Sequence, residues 1–148
     1  MAQAQLSRRI IMNFSTPPAD DDIAAVATSV IDAIPDELSD YCEDMDLIVE
    51  EFPAMELLDE MDVESEFDLL AVFRDTQEKI PGVVAKDVSA ERRLVLFRRP
   101  VLDLWCDTGE DFVTLVRNVV ISEIAQANGF SDEEIDAMCA AASAASGF

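Results

Sequence analysis

Apolar residues recur at Ile23, Val26, Ala27, Val30, Ile31 and Ile34, at the spacing of one helical face. That period predicts an amphipathic helix, ended by Pro35 because the residue before a proline avoids helical backbone. Pro17-Pro18 and the acidic run Asp20 to Asp22 suit its start, where the helix dipole favours negative charge. A second face reads Phe112, Leu115, Val116 and Val119. It predicts a long helix from about Glu110 to Asn128, capped by Thr108 with Asp111 near the capping-box position and stopped by Gly129 at C′. A third face, Ile135, Met138, Cys139 and Ala142, predicts a last helix over roughly Asp132 to Ala144. Ser131 with Glu134 forms its capping box.

Between these helices the apolar runs are shorter. Leu47-Ile48-Val49, inside Met45 to Phe52, reads as a strand with acidic flanks. Phe67 to Phe73 reads as a second, and Arg93 to Arg98 as a third that Pro100 ends. Pro53 opens a helical turn or two over Ala54 to Met61, and Asp36 to Tyr41 can add another. Val101 to Trp105 predicts a short helix with Trp105 anchored in the core. Asp75 to Val88 is a loop with Pro81-Gly82 as its turn. The order predicts an α+β fold: about three strands in a small antiparallel or mixed sheet, packed on two main helices, with a C-terminal helix closing against the second. We read residues 1–18 as an N-terminal arm, 19–140 as a single domain and 141–148 as a flexible C-terminal tail. No internal repeat and no Gly-rich phosphate loop interrupts this.

The long helix carries the candidate chemistry. Its apolar face, continued by one turn, reaches Ser122, Glu123 and Gln126, three polar residues at positions expected to meet the core. Zinc hydrolases place two histidines at i and i+4 on one helical face, with a Glu after the first as general base. Here those positions hold a hydroxyl and an amide, and Glu123 stands in the place of the base. The chain contains no histidine at all. Serine and glutamine are neutral oxygen donors and poor zinc ligands beside imidazole, thiolate or carboxylate.

The segment Ser122-Glu123-Ile124-Ala125-Gln126-Ala127-Asn128-Gly129-Phe130-Ser131-Asp132 resembles the signature of a small bacterial family of zincin-like metallopeptidases, His-Glu-x-x-His-His-x-Gly-x-x-Asp. Glu123, Gly129 and Asp132 match; Ser122, Gln126 and Ala127 stand where the family has histidine. The resemblance extends upstream through Ala33 to Leu38, Leu47 to Glu51, Leu69 to Arg74 and Leu94 to Arg98, over roughly residues 19 to 140. It implies a minimal zincin-like fold and, in the family, zinc as cofactor with Asp132 completing the ligands. With every imidazole position changed, we expect no catalytic residue, no cofactor and no metal here, and vestigial motif positions at Ser122, Glu123, Gln126, Gly129 and Asp132.

Charge adds a second signal. The net charge is −22. From Asp20 to Asp68 there are 19 acidic residues and no Lys or Arg, which predicts one strongly negative surface. Such a field repels nucleic acid and anionic membrane and speeds association with cationic surfaces. The expected partner is a basic protein surface, with no direct nucleic-acid binding and no membrane insertion. Only two of the charged side chains are lysine, which also fits adaptation to a salty cytoplasm. No apolar run approaches the roughly 20 residues of a membrane span. Cys42, Cys106 and Cys139 lie far apart and are odd in number, which argues for reduced, mostly buried thiols and a cytoplasmic location. Three functions follow. The first is a catalytically silent, zincin-like acidic protein acting by protein–protein binding, as an accessory subunit of an assembly. The second is a zinc metallopeptidase with an atypical site, built on Glu123, Asp132 and a third group such as Cys106 or Cys139. The third is an acidic mimic of nucleic acid that occupies a basic protein.

Overall fold

A computed structural model describes residues 17–76, 78–83 and 90–145. Its centre is a three-stranded mixed sheet of β1 (Met45–Glu50), β2 (Ala71–Arg74) and β3 (Arg92–Phe97) in the order β1-β3-β2. The last strand in sequence is the middle one. It pairs parallel with β1, Leu47 opposite Leu94, and antiparallel with β2, Phe73 opposite Leu94. β3 is apolar on both sides because both faces are covered. Leu94 and Leu96 point into one core and Val95 and Phe97 into another.

The larger core lies against the first helix, Asp20–Asp32, and the helix Phe112–Ala127, called here the site helix. Ile23, Val26, Ala27 and Val30 of the first helix are buried there, as their period requires. The last helix, Asp132–Ala145, packs on the site helix through Ile135 and Met138. It runs to Ala145, through residues read above as the start of the tail. The smaller core lies on the other sheet face, where helix Met55–Met61 buries Leu57 and Leu58 over Val72, Val95 and Phe97.

Several boundaries differ from the sequence reading, each for a local reason. The strand expected over Phe67 to Phe73 is shorter, because Ser65 accepts the Phe67 N–H and opens a 3-10 turn over Glu66–Asp68. The short helix expected over Val101 to Trp105 is Arg98–Thr108. It starts directly from β3 with Pro100 in its first turn, where a missing N–H costs nothing. Trp105 is half-buried rather than a core anchor, and meets Phe112 edge-on at 5.0 Å. The site helix starts at Phe112 with Asp111, not Thr108, as its cap: the Asp111 carboxylate accepts the Thr114 N–H at 3.0 Å. Arg93 is buried, and its guanidinium donates to the carbonyls of Thr76, at 2.7 Å, and Glu78, tying the loop after β2 to the sheet. All three cysteines are free, but Cys106 is exposed and the other two only half-buried.

The acidic stretch reaches both sides of the sheet. Asp20 to Asp22 are exposed on the first helix and Glu56, Asp59 and Glu60 on helix Met55–Met61. These helices cover opposite faces of the sheet, so exposed carboxylates of the stretch stand on both sides of it. Among the described residues no helix is long and apolar enough to cross a membrane. The expected arm lies almost wholly outside the described residues.

Candidate functional site

The site helix is apolar over more than one face. Val116, Val120, Ile121, Ile124 and Ala125 are buried in the larger core together with Phe112 and Leu115. Ser122, Glu123 and Gln126 therefore do not meet the core, as the sequence reading had it. They line a groove of about 470 Å³ beside it. Leu115, Asn118 and Val119 continue the same stripe one turn back, and the opposite wall is the segment from Asp68 to Ala71 leading into β2.

β2 is an edge strand, and its outer edge faces the site helix. Leu70 accepts the Phe97 N–H at 2.9 Å, so its polar groups point toward β3. Alternation along an antiparallel strand then turns the backbone of Ala71 and Phe73 outward. The Phe73 N–H donates to Oε2 of Glu123 at 3.3 Å. Glu123 thus ties the site helix to the sheet edge, and satisfies a donor that the sheet leaves unpaired. Burial raises its carboxyl from the usual 4.5 to about 7, against the opposing influence of the Phe73 N–H and the charge of Arg74. Arg74 itself is drawn to Glu60 at 3.9 Å and to the Met61 sulfur at 3.6 Å.

Ser122 is half-buried, with its hydroxyl near the thiol of Cys139 on the last helix. Burial raises the Cys139 thiol above its usual range; Ser122 and Arg117 oppose this and Asp136 adds to it. Gln126 is exposed at the end of the groove. Gly129 adopts φ 84, a left-handed conformation that suits glycine. The Phe130 N–H bonds the Ala125 carbonyl at 3.0 Å and the Gly129 N–H bonds that of Gln126 at 3.2 Å, the two bonds of a Schellman ending. The capping box follows at once: the Ser131 N–H donates to Glu134 at 2.9 Å and the Glu134 N–H to Ser131 at 3.2 Å. Asp132 is exposed in the first turn of that helix, and neither it nor Gly129 lines the groove.

The structure thus gathers Ser122, Glu123 and Gln126 and leaves Gly129 and Asp132 outside. Among the described residues no three of His, Cys, Asp and Glu converge as a metal-holding set. The donors at the motif positions do not fit zinc: a hydroxyl, an amide, and a carboxylate with one oxygen already bound to a backbone N–H, and the groove's other carboxylates, Asp68 and Glu110, do not converge with them on one point. Helical spacing could have found Leu115, Asn118 and Val119. Nothing in the sequence marks the Phe73 N–H, a backbone group placed by strand pairing.

A profile of the family described as zincin-like metallopeptidase matches residues 42–141, more than half of the chain. The match begins after the first helix, inside the span of the resemblance noted above. A comparison with curated proteins finds no match.

Proposed function

The chain belongs to the zincin-like metallopeptidase family, and we propose that it is a member without metal chemistry that works by binding a basic protein surface, as an accessory subunit of an assembly. The observation that carries this reading is the groove itself. It keeps Glu123 at a helix–sheet junction but offers Ser122 and Gln126 where the family has imidazoles. A carboxyl near pH 7 suits a general base, and such a base alone contributes only about 10²–10⁴-fold. Without a metal nothing polarises a carbonyl or acidifies water at this site.

The charge supports binding as the remaining activity. A net charge of −22 attracts cationic surfaces from beyond contact distance. Exposed acidic residues stand on both sides of the sheet, which fits a general attraction better than a copy of one phosphate backbone. The free cysteines agree with a cytoplasmic setting.

Metal analysis of protein purified without chelators tests the reading. Zinc well below one equivalent, with no hydrolysis of casein, is expected. Stoichiometric zinc at near-micromolar affinity overturns it and restores the metallopeptidase reading.

A further inference from the structure

The groove has one wall of Leu115 and Val119, and carboxylates from Asp68, Glu110 and Glu123. Among the described residues that line it, none is Lys or Arg. Along one stripe of the site helix, Ser122, Glu123 and Gln126 present a hydroxyl, a carboxylate and an amide. All three can accept hydrogen bonds through oxygen. A donor set too weak for zinc is well matched to a cation that brings its own hydrogens.

We infer that the groove receives a lysine side chain of a partner polypeptide, its ammonium held by Glu123 and bonded to Gln126 and Ser122, its alkyl stem lying along Leu115 and Val119. The inference rests on reading the protein as a binding member of its family. Charge complementarity selects a cation, and the form of the site selects lysine over arginine. An ammonium is compact and carries three donors, while a guanidinium is a planar fork that seeks both oxygens of a carboxylate. Oε2 of Glu123 already accepts the Phe73 N–H, so a bidentate fork finds one oxygen engaged. Lysine also buries its methylenes against apolar side chains while its charge reaches polar groups.

The probe is the peptide acetyl-Ala-Leu-Lys-Leu-Ala-amide, titrated to millimolar concentration into the ¹⁵N-labelled full-length protein at about pH 8, where the Glu123 carboxyl is ionised. Companion peptides carry norleucine, N6-acetyl-lysine or arginine at the centre. The lysine peptide should shift the Phe73 backbone amide and the Gln126 side-chain amide. The norleucine and acetyl-lysine peptides should bind about tenfold more weakly or worse, the scale of a hydrogen-bonded charge, and the arginine peptide more weakly than lysine. E123Q should lose about the same factor for the lysine peptide and leave norleucine unchanged. Equal affinity for lysine and norleucine, or for lysine and arginine, overturns the inference. So does an absence of shifts, or shifts confined to the first helix and to helix Met55–Met61. A zinc-free protein whose groove ignores the lysine peptide refutes this inference alone; stoichiometric zinc in the native protein refutes the reading beneath it.

Discussion

Replacing Glu123 by glutamine isolates the cost of ionising a buried carboxyl. The folded chain holds this proton up to about pH 7, while its ordinary value is 4.5. Between those values the unfolded chain ionises freely and the folded chain resists, so stability falls as pH rises through the window. At about 1.4 kcal/mol per pH unit, the whole span amounts to roughly 3 kcal/mol. Glutamine is neutral, and its amide oxygen can still accept the Phe73 N–H, so the variant keeps the bond and loses the titration. Urea denaturation of both proteins at about pH 5 and about pH 8, at equal salt, gives the stabilities from midpoint and slope. The two proteins should be within about 1 kcal/mol of each other at the lower pH, and E123Q should be more stable by roughly 2–3 kcal/mol at the higher. The remaining carboxylates titrate in both chains, so their contribution cancels in the difference. A difference that is the same at both pH values would refute the raised carboxyl. A wild type that gains on the variant as pH rises would mean that Glu123 is stabilised as an ion.

Three further outcomes follow from the geometry. Gly129→Ala meets nothing within 4 Å and carries only the strain of its positive φ, so it should cost about 1–2 kcal/mol. Gly82→Ala adds a Cβ at 2.7 Å from that of Ala54 and should cost more; thermal melts that rank the two equally would remove that contact from the account. Ser122→His with Gln126→His places two imidazoles on the groove at i and i+4, so the double variant should take up zinc, and less of it at acid pH where imidazole is protonated. With Asp132 outside the groove its affinity should stay well short of a complete site, and a folded double variant that binds no zinc at neutral pH would mean the two positions do not share a ligand geometry. Association with a basic protein of the kind proposed should slow steeply between about 0.05 and 0.5 M salt as screening shortens; a rate indifferent to salt would leave the acidity as a matter of solubility.

The sequence alone determined whatever depends on near neighbours. The first helix is written in its period from Ile23 to Val30, and the turn into the last helix in Gly129, Ser131 and Glu134, because caps and helical faces involve residues only a few positions apart. It also determined the donor chemistry of the site, since a chain without histidine has no imidazole to place anywhere. Tertiary structure decided the rest. The site helix is apolar around much of its circumference, with Val116, Val120, Ile121 and Ile124 beside Phe112 and Leu115, so its pattern did not say which side meets the core. Packing against the first helix and the sheet fixed that choice, and turned Ser122, Glu123 and Gln126 into a groove. The parallel pairing of β1 with β3 joins residues 47 positions apart, Met45 with Arg92, and the Phe73 N–H reaches Glu123 across 50. No local pattern encodes such contacts, because they form only when the whole chain has buried its apolar surface. The raised carboxyl of Glu123 belongs with them: its ionisation is set by the water that folding removes from around it.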